Sequence, residues 1–240
     1  MIANNNTFIV VGTLILWTGY LFFTGGRTYS QFVARGDEPA KIIQNTLISS
    51  AFSGLLCFAL KPLVFRTGGL RHTKYDALTL SNGILIGLIS VAGVVQRCQS
   101  WAAVLIGSIS AFWYVGGLLF LEFYRIDDPL EVFPVHALGG VWGLLATGFF
   151  DDGRGALYQN SWRQGQFFGY QVVGIVVIVV WTSVLSIPAF VVLRKLHLLR
   201  VDVAVEEVGL DVAELQGVSE EFLDAVRQQI NLKAAKGLDE

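Results

Sequence analysis

Six stretches of this chain, residues 7–24, 42–60, 77–95, 101–121, 132–150 and 167–193, contain no Asp, Glu, Lys or Arg. Each is close to the ~20 residues that a helix needs to cross the hydrocarbon core of a bilayer. A water-soluble core can bury one or two such helices, but six in succession exceed any ordinary core. Charged residues make up 15% of the chain and hydrophobic ones 53%, whereas a soluble domain is about 25% charged. The mean hydropathy is +0.57. The expected fold class is therefore all-α: a polytopic helical membrane protein with six transmembrane helices. The last stretch is the longest and contains Pro188, which allows a kink or a tilt.

Six spans put both termini on one side. The second loop carries Lys61, Arg66, Arg71 and Lys74, the fourth carries Arg125, and Arg194, Lys195 and Arg200 follow the last span. This modest basic bias makes that side cytoplasmic. The chain divides into a transmembrane domain, residues 1–195, and a cytoplasmic C-terminal tail, residues 196–240. The tail holds ten acidic and four basic residues. From Ser219 through Val226 and beyond it reads as a short amphipathic helix. The first apolar run lacks a basic leader and a small-residue cleavage site, so it reads as a retained span. A net charge of -2 suggests no nucleic-acid partner. Cys57, in an apolar run, and Cys98, in a short turn, suggest neither a disulfide framework nor a metal site.

The fifth span carries the one histidine set among apolar turns, His136. Its start is marked by Asp128 as an N-cap, Pro129 in the first helical position and Glu131 where a capping-box acid would stand. Gly139, Gly140 and Gly143 lie on or near the histidine's face, so neighbouring helices are expected to come close and enclose the imidazole in a narrow apolar space. A neutral imidazole offers one donor and one acceptor. It can hold a small polar solute in single file or pass a proton, and an ionisable group inside a membrane is a functional candidate by default. The alternative is a structural histidine bonded to a carbonyl or hydroxyl of another helix. His72 and His197 read as solvated histidines, and Asp151-Asp152 as a solvated loop end rather than a metal site. Gly12, Gly19 and Gly26 repeat along one side of the first span, and the pairs Gly83/Gly87, Gly139/Gly143 and Gly165/Gly169 have the spacing that lets helix backbones approach.

Asp127-Asp128-Pro129 through His136, followed by Gly140-Val141-Trp142-Gly143-Leu144-Leu145-Ala146-Thr147-Gly148-Phe149-Phe150, resembles the tenth span of the ammonium transporters, the Amt/Mep branch of the Amt/Mep/Rh superfamily. Leu14-Ile15-Leu16-Trp17-Thr18-Gly19-Tyr20-Leu21-Phe22-Phe23-Thr24-Gly25-Gly26 resembles the family's sixth span, and Ser81-Asn82-Gly83 its eighth. Leu199-Arg200-Val201, Glu206-Glu207 and Gly209-Leu210-Asp211 resemble the start of its tail. The resemblance implies a fold of eleven spans, two inverted five-span repeats plus a final helix, assembled as a trimer with one pore per subunit. This chain would hold the second repeat, the last helix and the tail, with the pathway between the two halves.

The resemblance also implies roles. His136 matches the second of the family's paired pore histidines, and Phe23 one of two stacked gate phenylalanines. Tyr20 stands at a pore-lining tryptophan position, and Asp128 matches the helix-capping aspartate. Thr24 replaces an asparagine, and Arg27 replaces a vestibule serine where its charge would repel an arriving cation. Ala137 replaces the glycine after the histidine, and Leu215-Gln216 a histidine-glycine pair.

The function expected is transmembrane transport of ammonium or ammonia through a hydrophobic pore lined by His136, as part of a longer or two-part transporter. The alternative is a non-conducting truncated paralogue that assembles with or regulates full-length ammonium transporters. No enzyme activity, cofactor or metal is expected. The partners expected are ammonium or ammonia, the lipid bilayer, and either two further copies or full-length subunits. The site expected is the plasma membrane.

Overall fold

The computed structural model describes residues 6–26, 38–65, 76–158, 162–209 and 219–235. Among these the chain is helical: α1 (Asn6–Gly26), α2 (Glu38–Val64), α3 (Ala77–Ala92), α4 (Ser100–Phe123), a π-helical segment (Phe133–Leu138) continuous with α5 (Gly139–Phe150), α6 (Trp162–Lys195), α7 (Val203–Val208) and α8 (Glu220–Ala235). The six apolar stretches and the amphipathic tail helix all form. Five helices among the described residues are long and apolar enough to span a bilayer. The sixth, α3, has 16 residues. At 1.5 Å per residue it falls a few ångströms short of an average hydrocarbon core.

The chain forms two compact units, Met1–Val177 and Ile178–Glu240. In the first, α3 packs on α1, α2, α4 and α5. Small residues bring these helices together. Gly87 is so close to α2 that an added Cβ would lie 2.7 Å from Ser53 Cβ and 2.8 Å from Ser50 Cα, and one on Gly107 of α4 would lie 2.8 Å from Ser49 Cα. The Ser49 hydroxyl donates to Gly87 O at 2.9 Å, and the Ser110 hydroxyl to Ser53 Oγ at 2.8 Å. In lipid the hydrophobic effect does not join helices, so close backbone contact and interhelical hydrogen bonds of this kind must do so. Asn45 of α2 reaches past the end of α3, its amide donating to Val95 O and Cys98 O.

Two of the expected glycine devices are used. Gly83/Gly87 meets α2, and Gly139/Gly143 meets Ile86 and the Ser90 backbone of α3. The other two are open, since nothing among the described residues lies within 4 Å of a Cβ on Gly12, Gly19, Gly26, Gly165 or Gly169. Helix α6 runs through Pro188, and its apolar side chains are largely exposed from Val172 to Leu193.

In the second unit, Asp202 caps α7 by accepting from Ala204 N at 3.0 Å. The same carboxylate receives Arg227 of α8 at 2.7 Å, while Ala204 and Leu223 are buried. The bonds from Arg227 hold the Asp202 carboxyl below its ordinary range.

Candidate functional site

His136 sits in the π-helical segment Phe133–Leu138, with its side chain exposed. Pro134 has no N–H to give to a helical ladder, and single π-helical turns concentrate at functional sites. The wide turn fits because Gly117 of α4 is opposite: a Cβ there would lie 2.7 Å from Leu138 Cδ1 and 2.9 Å from Pro134 Cβ. The face expected to enclose the histidine divides. Gly139 and Gly143 are buried on α3, whereas a Cβ on Gly140 would meet nothing within 4 Å. The narrow apolar space expected around His136 is therefore not built by the described residues. Helical rotation carries the histidine away from the side that α3 fills.

The start of this span also differs from the expectation. The helix begins at Val132, and Pro129 lies in the preceding turn. Asp128 does cap it, but from further back, accepting from Val132 N at 2.9 Å and Phe133 N at 2.8 Å. Glu131 is not a capping-box acid. It is buried, with φ of 58, and its carboxylate accepts from the Tyr114 hydroxyl of α4 and from Asn82 Nδ2 of α3, the latter at 2.9 Å. Lys61 Nζ of α2 lies 3.7 Å from Glu131 Oε1 and 2.7 Å from Asp76 Oδ2, and donates to Thr79 Oγ1 at 2.6 Å. Asp76 accepts from Thr79 N at 2.6 Å and so caps α3. Burial pushes the Asp76 carboxyl up, and the bonds from Lys61 and Thr79 more than offset this, leaving it below its ordinary range.

Lys61 read as a loop residue is thus corrected: it is 4% exposed, within α2 and held between two carboxylates. A cavity of about 130 Å³ adjoins this cluster, lined in part by Lys61, Asp76, Glu122, Asp128 and Glu131. Sequence reasoning missed the cluster as a unit. Its one signal was a basic residue and two acidic ones at the ends of three spans, a pattern that ordinary loops share.

The remaining site residues fall on α1. Tyr20 and Phe23 are neighbours, with ring centroids 5.7 Å apart, and Phe23 is 60% exposed. Thr24 is buried, its hydroxyl bonded to Tyr20 O at 2.8 Å and facing Thr46 Oγ1 of α2 at 3.3 Å. Both α1 and α5 pack on α3. Arg27 and His72 lie outside the described residues. His197 is exposed. Asp151, expected at a solvated loop end, is buried instead. It accepts from Gly153 N and Arg154 N at 3.0 Å each, with Arg97 Nε 3.8 Å away. Among the described residues no group of His, Cys, Asp and Glu is placed to hold a metal ion.

Long apolar helices joined through small residues, with a histidine on a π-helical turn, define an integral membrane protein of the helical-bundle class. Comparison with known proteins narrows the class. The sequence profile of the Ammonium Transporter Family matches residues 1–220, and the chain belongs to that family. It is 31% identical over 225 residues to ammonium transporter Amt2 of Archaeoglobus fulgidus, covering 90% of this chain and 46% of that protein. It is 29% identical over 260 residues to ammonium transporter 1 member 3 of Solanum lycopersicum, covering 97% of this chain and 53% of that protein. Among solved structures, a sensor Amt protein aligns with a TM-score of 0.73 at 27% identity over 88% of this chain and 49% of the other. Saccharomyces cerevisiae Mep2 aligns with a TM-score of 0.60 at 26% identity over 74% of this chain and 42% of the other. The chain spans about half the length of the curated relatives it matches.

Proposed function

We propose that this chain supplies one half of a membrane pathway for ammonium or ammonia, with His136 on the pathway and Tyr20, Phe23 and Thr24 near its entrance. The observation that carries the reading is the exposure of the family-like elements. His136, Gly140, Phe23 and the Gly12/Gly19/Gly26 stripe are uncovered among the described residues, in a chain that spans about half the length of the curated relatives it matches. A second set of apolar helices seated on these faces would enclose the histidine and bury the stripe. The family's two-repeat plan corresponds to this chain as the second repeat, the last helix and a cytoplasmic tail, with the domain boundary at residue 195 and the plasma membrane as its site.

In this reading the imidazole passes a proton or holds ammonia in single file, while the small, open face of α5 leaves room for the solute. Arg27 would oppose cation recruitment, by an amount that salt moderates. The test is uptake of methylammonium by cells expressing the chain together with its other half, comparing wild type with His136→Ala at equal surface expression. A change in flux is expected. Equal flux in the two would remove His136 from the pathway.

The second reading is a non-conducting partner that assembles with full-length subunits, as a mixed trimer. The same uncovered faces favour it. Co-purification with a complete transporter, combined with no flux from the pair of halves, selects this reading over the first.

A further inference from the structure

The buried cluster at the foot of the histidine span has no part in the proposed pathway, yet three features converge on it. Glu131 has a left-handed backbone, with φ of 58, a conformation that non-glycine residues adopt rarely and hold only when their surroundings impose it. Its carboxylate is gripped from three helices: by Lys61 of α2, Asn82 of α3 and Tyr114 of α4. Asn82 Nδ2 also holds the neighbouring Leu130 O at 3.1 Å, so main chain and side chain are fixed together. Immediately beyond lies the π-helical segment that carries His136, entered by the Val135 N to Glu131 O hydrogen bond of 3.3 Å.

A buried ion pair contributes little net stability compared with apolar packing, and its best-attested use is to select one register. A π-helical turn has such a register to select. Moving the extra residue by one position turns only the residue it passes, by about 100° around the helix axis, and leaves the helix beyond in place. Gly139 against Ile86 and Trp142 Nε1 donating to Ile106 O at 3.0 Å hold the far side of the turn, and the Glu131 carboxylate holds its entry. That carboxylate is fixed by two directional hydrogen bonds, from Asn82 and Tyr114, and by the Lys61 ion pair at 3.7 Å.

We propose that Glu131, clamped by Lys61, Asn82 and Tyr114, is the positioning residue that selects the register of the π-helical turn and thereby the direction of the His136 imidazole. The clamp stands on geometry alone. Only its consequence for flux rests on the proposed pathway.

The chain has three histidines, so His72→Gln with His197→Gln leaves His136 as the sole imidazole. The full chain in lipid nanodiscs is treated with diethyl pyrocarbonate, and the rate of imidazole acylation is followed by absorbance. Glu131→Ala and Tyr114→Phe are expected to change the rate in the same direction. The size expected is about threefold or more, the population change that loss of one ordinary hydrogen bond produces. Glu131→Gln, which keeps an acceptor of the same shape, should fall between wild type and Glu131→Ala. Asp151→Asn removes a buried charge at the opposite end of the same span and serves as the control for general loosening, with the rate expected to stay within about twofold. If Glu131→Ala does not fold, Tyr114→Phe carries the test. Rates within twofold of wild type in both clamp variants, or an equal shift in Asp151→Asn, would overturn the proposal. Because this readout needs no transport, an inert His136→Ala in the uptake assay would sink the pathway and leave the clamp standing.

Discussion

Lys61 and Asp76 close the end of α2 onto the start of α3, with Nζ and Oδ2 2.7 Å apart and side chains 5% and 19% exposed. The two stand 15 positions apart in sequence, and the pair ties the end of one helix to the start of the next. Removing Lys61 takes away the cation that both Asp76 and Glu131 face. Lys61→Ala is expected to destabilise the bundle by about 3 kcal/mol, the usual cost of leaving a buried charge uncompensated. The double variant Lys61→Met with Asp76→Asn should cost less than the sum of the two single changes. Unfolding curves in detergent decide this, and strictly additive losses would show that the pair is not coupled.

The contact between α2 and α4 depends on a missing side chain. Gly107 leaves no room for a Cβ against the Ser49 backbone. Gly107→Ala should therefore destabilise the protein by about 1–3 kcal/mol through overpacking. Gly116, on the same helix, has nothing within 4 Å of that position. Gly116→Ala should be neutral or slightly stabilising, because alanine is the better helix former. Equal melting temperatures for the two variants would contradict the close approach.

Arg227 joins α8 to the capping residue of α7, and the Asp202 carboxyl is held below its ordinary value by that contact. A depressed carboxyl contributes stability that is fully present above its unfolded pKa, about 3.9, and is lost as pH falls through the folded value. The junction should thus be unchanged from neutral pH down to about pH 5 and weaken below about pH 4. Hydrogen exchange of α8 amides, followed against pH, reads this directly. In Asp202→Asn the acid-dependent step should disappear.

Helix positions were legible because an apolar run without charges has one solution in lipid, an internally hydrogen-bonded helix. The runs at 7–24 and 101–121 became α1 and α4, each with three residues added at the ends. The tail helix was legible from its alternation of acids and apolar residues. Neither the direction of His136 nor the role of Glu131 could be read. A capping-box acid and a buried clamp look alike in one dimension, and only the left-handed backbone at Glu131 turns its carboxylate inward. Lys61 was read as a loop residue because its partners come from distant segments. The glycine spacing showed which backbones can approach, and not which ones do: Gly83/Gly87 meets α2, while Gly12/Gly19/Gly26 meets nothing among the described residues.

By itself the sequence determined the number and type of the apolar elements, the polar character of the tail and the family to which the chain belongs. These follow from local composition and from motifs contiguous along the chain. The tertiary structure decided which face of each helix is covered and which charges are buried. It brought Lys61, Asp76, Asn82, Tyr114 and Glu131 to one place. Such choices depend on pairings between segments far apart in sequence. Their free energy lies in close packing and desolvated hydrogen bonds, which arise only once the helices meet.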